Sequence, residues 1–415
     1  MSVVQDLPAP GGPRALRARL RTLSSRHRSW SIVIGMAIVG AVLPVLAMVP
    51  PFSSFQTQGA WVDGFTNAGV FVLLALGLNL VVGVAGLLDL GYAAFFAIGA
   101  YAYAYAASPF GNQILGIDLT GLLGDSRGVI FWPMLIVAAL VAAMFGVLLG
   151  APTLRLRGDY LAIVTLGFGE IVPIVFLNSD ALTNGTNGIG GVFRPALPGI
   201  GTFSAIDPWP YYFTMLGLIT IVMIFCYRVV GSRIGRAWEA IREDELAAAA
   251  NGINTVTTKL LAFALGASTA GIAGAFNAAK LTVVSPDQFG FVVSFTVLAM
   301  VVLGGMGNFW GVAVGAFVIY TINNVLLKTL NQFFDALVPT LGGIPIIGEV
   351  VRLLATIDFI GLQFLLYGIA LVAMMLLRPE GLFPNSRRQR ELHAVVDLPG
   401  EDEMTLPEVT EEGGR

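Results

Sequence analysis

The feature that most constrains this 415-residue chain is the spacing of its apolar blocks, which run close to 20 residues apiece from 29–49 to 359–377. A stretch of that length crosses a hydrocarbon core of ~30 Å as an α-helix, whereas a lipid-facing barrel would show shorter segments of alternating polarity. Only 12% of the residues are charged, against about 25% in a soluble domain. The chain therefore reads as an all-α polytopic membrane protein surrounded by a lipid bilayer, with no nucleic-acid partner. Ten transmembrane helices are expected, at 29–49, 62–83, 87–107, 129–150, 159–178, 210–230, 259–280, 289–304, 309–328 and 359–377.

Charge fixes the expected orientation. With the N-terminus in the cytoplasm, eighteen of the 23 Lys and Arg fall on the inner side, leaving Arg127, Arg194, Lys280, Lys328 and Arg352 outside. This is the positive-inside pattern, and it predicts that the N and C termini are both cytoplasmic. The first span follows a 28-residue leader and is longer than a signal h-region, so it is expected to be retained. Residues 1–28 read as a disordered basic tail, 29–384 as the transmembrane domain and 385–415 as a disordered tail ending in acidic residues. Two outer loops, 179–208 and 329–358, are long and rich in Gly and Pro. Each suits either a docking surface or packing over the bundle.

The sequence excludes several chemistries. Cys226 is the single cysteine and the two histidines, His27 and His393, lie in the tails, so no disulfide framework or metal site is expected. No nucleophile and base pattern occurs, and no Gly-x-x-x-x-Gly-Lys-Ser/Thr motif precedes any of the three lysines. The chain is thus expected not to be an enzyme and to hold no cofactor; any ATP would be bound by another subunit.

Inside the spans, small residues recur four apart, as Gly266, Ala270 and Gly274 and as Gly307, Gly311 and Gly315, which predicts close helix packing. Glycine also interrupts two apolar stretches, at 82–92 and 303–311, one in each half of the chain. Paired breaks of this kind point to a transport pathway or to tight turns at the cytoplasmic surface. The polar residues in and beside the spans are the pathway candidates: Asn79, Asp89, Tyr92, Thr165, Glu170, Asn277 and Asn308. Glu170 lies mid-span in an otherwise apolar helix, three residues before Pro173. A carboxyl there calls for water, a partner or the bundle interior.

The longest inner loop lies within 228–259. Its composition from Ala237 to Ala250 predicts one short helix stopped by Asn251-Gly252. At 3.6 residues per turn, Ile234, Trp238, Ile241 and Ala248 share an apolar face that includes Glu245, with Arg236, Glu239 and Glu243 opposite. Such a helix suits docking into a groove on a partner.

This loop, Ser232-Arg233-Ile234-Gly235-Arg236-Ala237 through Ala240-Ile241-Arg242-Glu243-Asp244-Glu245 to Gly252-Ile253-Asn254, resembles the coupling loop of ABC importer permeases. The likeness is to the LivM-type permeases of branched-chain (hydrophobic) amino acid importers. Further blocks agree in order across about residues 60–385: 77–83, 86–92, 153–170, 303–307 and 378–383. The resemblance implies a permease domain with a coupling loop at 231–258, in a prokaryotic cytoplasmic membrane. Its implied partners are a LivH-like second permease in a heterodimer, two cytoplasmic ATPase subunits that bind the ATP, and an extracytoplasmic substrate-binding protein. The implied ATPase-coupling residues are Arg236, Trp238, Ile241, Arg242, Glu243, Asp244, Glu245, Ala248 and Gly252. In place of the common Glu-Ala-Ala pattern, Leu246 holds the first position and the glutamate is Glu245. A permease for urea or short amides shares much of this pattern. An ion-coupled secondary transporter, with Glu170 or Asp89 as the coupling carboxylate, is the alternative from a different class.

Overall fold

A computed structural model describes residues 28–46, 57–116, 124–153, 159–197, 201–326, 338–339, 361–378 and 382–383. The tails expected at 1–27 and 385–415, most of the 329–358 loop and the basic pair Arg155 and Arg157 lie outside the described residues. The architecture is helical: α1 (Arg28–Leu46), α2 (Gln58–Leu78), α3 (Tyr92–Ala106), α4 (Pro109–Leu115), α5 (Phe131–Thr153), α6 (Asp159–Asn178), α7 (Trp209–Val230), α8 (Arg233–Glu243), α9 (Glu245–Ala250), α10 (Thr255–Leu281), α11 (Phe291–Gly304), α12 (Phe309–Thr321) and α13 (Gln363–Leu377). Among the described residues, six helical stretches are long and apolar enough to cross a membrane, and Val33–Val45 and Phe309–Asn324 are shorter apolar helices. The chain is a multi-pass membrane protein. The third expected span, 87–107, begins later than the apolar run suggested: residues 85–91 are non-helical and α3 starts at Tyr92.

At the centre of the bundle α2, α3 and α10 pack together, with α5 against α3 and α10, and α12 against α2. Nearly all of α3 is buried, which explains why it is rich in Ala and Tyr rather than in long aliphatics: it faces helices and not lipid. The expected α10 stripe packs closely, since a Cβ on Gly274 would stand 2.7 Å from the Ala100 backbone nitrogen of α3 and one on Gly266 would stand 3.2 Å from the Gly77 carbonyl oxygen of α2; Gly99 and Gly271, outside that stripe, approach in the same way. A Cβ on Gly99 would stand 2.7 Å from the backbone carbon of Gly271, and one on Gly271 would stand 2.5 Å from the Ala138 carbonyl oxygen, so α3, α10 and α5 touch through backbone. Likewise a Cβ on Gly311 or Gly315 would meet Gly304 at 2.5 or 2.6 Å, which closes the α11–α12 pair.

Helix α10 is pinned at both ends. Lys259 pairs with Glu245 at 2.6 Å, and Lys280 pairs with Asp63 of α2 at 2.7 Å. The 21 steps between the two lysines span about 31 Å at 1.5 Å per residue, the thickness of a hydrocarbon core. Both ammonium groups thus reach an anion where the helix leaves the apolar zone.

At the end opposite the 231–254 loop, the described parts of 179–208 lie over the bundle. The two-residue strands β1 (Ile189–Gly190) and β4 (Val283–Val284) pair antiparallel, as do β2 (Ala196–Leu197) and β3 (Gly201–Thr202). Tyr103 Oη donates to the Phe193 carbonyl at 2.7 Å and Trp132 Nε1 to the Ala196 carbonyl at 2.9 Å, so side chains from α3 and α5 hold this cover down. Of the two roles expected for this loop, packing over the bundle is the one these contacts support.

Candidate functional site

The 231–254 loop is a two-helix element folded tightly onto the bundle. Ser232 starts α8 by accepting from Ile234 N at 3.2 Å, and Gly235 lets α8 turn back against α7, since a Cβ there would stand 2.5 Å from the Val230 backbone carbon. The single helix expected from Ala237 to Ala250 is broken at Asp244, whose backbone is extended (φ −153°, ψ 111°). Its carboxylate accepts from Leu246 N at 2.8 Å and Ala247 N at 3.0 Å, capping α9 and setting the break. Gly252, at φ +83°, closes α9 as expected: its N–H bonds to Ala249 O at 3.0 Å and that of Ile253 to Ala248 O at 3.1 Å, the Schellman arrangement.

The expected docking face needs correction. Trp238, Ile241 and Ala248 are buried within this chain, so the groove that takes them is its own. Three side chains tie the loop to the bundle: Trp238 Nε1 donates to the Thr258 carbonyl at 2.7 Å, Arg242 Nη1 to the Gly83 carbonyl at 2.6 Å, and Glu245 pairs with Lys259. Glu245 therefore meets a cation of its own chain rather than standing free for a partner. What the loop turns outward is Leu246, at 68% exposure, with Ala249 and Ala250 on the same side of α9, flanked by Glu243 and Gly252. Arg236 is also exposed and its Nη1 donates to the Gly231 carbonyl at 3.3 Å.

The two glycine breaks meet at this same end. Helix α2 runs on as a π-helical turn, Asn79–Val84, and Asn79 Oδ1 accepts from Gly307 N at 2.8 Å. The first break is thus bonded to the second and, through Arg242, to the loop. The stem of Arg242 lies over Gly86 (φ +72°), where a Cβ would stand 2.7 Å from Cγ. Residues 89–92 are bound on the other side: Asp89 Oδ1 accepts from Gly91 N at 2.9 Å, and Thr165 Oγ1 accepts from Leu90 N at 3.0 Å. Tyr92 Oη donates to the Gly266 carbonyl at 2.8 Å and lies 3.0 Å from Thr269 Oγ1. Asn308 donates to the Phe383 carbonyl at 2.9 Å, and Leu382 N donates to Leu303 O at 3.0 Å, so residues 382–383 lie along the second break.

Of the seven expected pathway residues, Asn79, Asp89, Tyr92 and Thr165 are buried in the region of the first break, and Asn308 sits at the second. Asn277 is half-buried on α10, away from both breaks. Glu170 is exposed, on the outward face of α6. Insertion scales assign a cost of about 3 kcal/mol to an ionised residue at a helix centre facing lipid. Sequence reasoning left Lys259 out of the coupling residues; its signal was a lone lysine five residues past the Asn254 helix cap, one of only three in the chain.

A family model described as "Branched-chain amino acid transport system / permease component" matches residues 60–376. The chain belongs to this permease family. The permease is 38% identical over 370 residues to the high-affinity branched-chain amino acid transport system permease protein LivM of Escherichia coli (strain K12), covering 84% of this chain and 75% of that protein. It is 25% identical over 345 residues to the probable LivM of Methanocaldococcus jannaschii, covering 76% of this chain and 91% of that protein. To LivH of Escherichia coli (strain K12) it is 24% identical over 271 residues, covering 62% of this chain and 82% of that protein. No solved structure matches it. The permease is of the LivM type, and the matched region takes in the loop, both breaks and α6.

Proposed function

We propose that this permease is one of two membrane-spanning subunits of an ATP-driven importer for branched-chain and other hydrophobic amino acids, in a prokaryotic cytoplasmic membrane. It crosses the membrane ten times with both termini inside. A LivH-like permease is its membrane partner, two cytoplasmic ATPases bind the nucleotide, and an extracytoplasmic binding protein delivers the substrate. The relatives' names support the substrate class, and the 231–254 loop supports the coupling.

The observation that carries this reading is the state of that loop. Its buried face is filled by its own chain, yet Leu246, Ala249 and Ala250 form a small apolar ridge on α9 that faces outward. A short exposed apolar ridge rimmed by charge suits insertion into a groove on a soluble partner. The three ties behind the ridge, to Gly83, Thr258 and Lys259, transmit its displacement to both glycine breaks and to α10. Four of the polar residues expected on the substrate route are hydrogen-bonded within the chain.

Mass spectrometry of gently solubilised membranes tests the assembly, and uptake of labelled leucine into proteoliposomes tests the activity. Recovery of a second permease and two ATPases, with uptake that requires ATP, is the expected result. A chain recovered alone and active without ATP would refute the reading.

A further inference from the structure

The peripheral helices present different outward faces. Helix α5 turns Ile136, Leu140, Met144 and Leu148 outward and α7 turns Phe213, Gly217, Ile221 and Phe225 outward, faces that offer lipid tails no charged group. Helix α6 turns out Ile163, Ile171, Ile174 and Val175 and, among them, the carboxyl of Glu170, with half-buried Gly167 one turn before it. The opposite side of α6 is anchored, since Thr165 binds Leu90 and a Cβ on Gly169 would stand 2.8 Å from the Gly91 Cα. The helix therefore has no freedom to roll Glu170 inward. Acyl chains offer a carboxyl group no hydrogen bond, and they gain nothing from a glycine. A second helix gains from both: nothing lies within 4 Å of where a Cβ on Gly167 would be, so a neighbouring backbone has room to approach there, one turn from Glu170.

We propose that this face of α6 is the surface on which the second permease subunit packs. The partner helix is seated at Gly167 and carries a hydrogen-bond donor, from Ser, Thr, Asn, Lys or Arg, opposite Glu170. The proposal rests on the importer reading above, which supplies the second permease, and goes beyond it by locating the contact and stating the partner's chemistry.

Cys226 is buried and is the chain's single cysteine, so an introduced cysteine is a clean reporter. Four variants, I163C and I174C on α6, L140C on α5 and I221C on α7, are coupled to a benzophenone maleimide in membranes holding the whole importer, then irradiated. Adducts joining this chain to the second permease are expected from 163 and 174, with lipid adducts alone from 140 and 221. In parallel, E170L and G167L should insert normally and reduce the recovered second permease by about threefold to tenfold, the range for losing one interhelical contact in a membrane. Permease adducts from 140 or 221 with only lipid adducts at 174, or wild-type recovery with both E170L and G167L, would overturn the proposal and leave the importer reading standing. A wild-type preparation lacking any second permease would instead defeat the importer reading itself.

Discussion

The Glu245–Lys259 pair offers the sharpest energetic test of how the loop is held. The Lys259 side chain is 7% exposed and that of Glu245 is 30% exposed, with 2.6 Å between the charged atoms. Truncating one partner of a fully buried pair costs about 3–5 kcal/mol, while an exposed pair is worth at most about 1 kcal/mol. Because Glu245 retains water, E245Q should fall between these limits, near 2 kcal/mol, the cost of leaving the Lys259 ammonium without its anion. K259M should cost about 1 kcal/mol or less, since the freed Glu245 turns to solvent and Met fills the space of the lysine stem. The double variant E245Q/K259M should cost no more than K259M alone, so the cycle should show an interaction of about 2 kcal/mol. The assay is reversible unfolding in mixed micelles, run beside the ratio of amino acid taken up to ATP hydrolysed in proteoliposomes. Single variants should lower that ratio as well as stability. Costs that add to within about 0.5 kcal/mol would show the two groups to be energetically independent and would refute the Glu245–Lys259 tie.

Two further changes separate surface from scaffold. L246R alters a side chain that touches water, so it should leave unfolding within about 0.5 kcal/mol of wild type while ATP hydrolysis no longer drives uptake; coupled transport in L246R would rule out the α9 ridge as the docking surface. G99V places a branched side chain where only the Gly271 backbone stands, so it should cost about 3 kcal/mol, the upper end for overpacking, because backbone cannot retreat as a side chain does. Normal yield and unfolding of G99V in detergent would contradict the α3–α10 contact.

Much of the fold was legible because the bilayer reduces it to runs of apolar length, and the positions of α2, α5, α6, α7, α10 and α11 follow from them. Small-residue spacing likewise identified the α10 and α12 packing faces, since only glycine and alanine permit that approach. The loop was half legible. Its stop at Gly252 is a local matter of backbone handedness, readable from Asn-Gly. Its break at Asp244 is local too, and missed: Ala-rich composition favours a continuous helix, but an aspartate followed by two free N–H groups competes by capping the next one. Which way the apolar face points was not readable, because a helical period states that Trp238 and Ile241 share a face and says nothing of whose groove they enter. The same limit applies to α6, where the sequence shows a carboxyl at mid-span and only the packing of Thr165 and Gly169 turns it outward.

The contact between the two glycine breaks carries a prediction that composition alone could never frame. A Cβ on Gly83 would meet two things: the Asn79 side chain and, at 2.5 Å, the Gly307 backbone nitrogen. The first obstacle is removable and the second is not. G83A should therefore destabilise the loop end of the bundle by about 2–3 kcal/mol, and adding N79A should give no relief. N79A clears the side chain and removes the half-buried Gly307 N–H···Oδ1 bond, itself a loss of about 0.5–1.5 kcal/mol. The double variant N79A/G83A should thus be at least as unstable as G83A, with hydrogen exchange at 304–308 raised in both. If N79A instead restores G83A to near wild-type stability, the clash is with the side chain only. The breaks would then be neighbours that touch through one flexible group, unable to pass a displacement of the Arg242-bound loop from one half of the chain to the other.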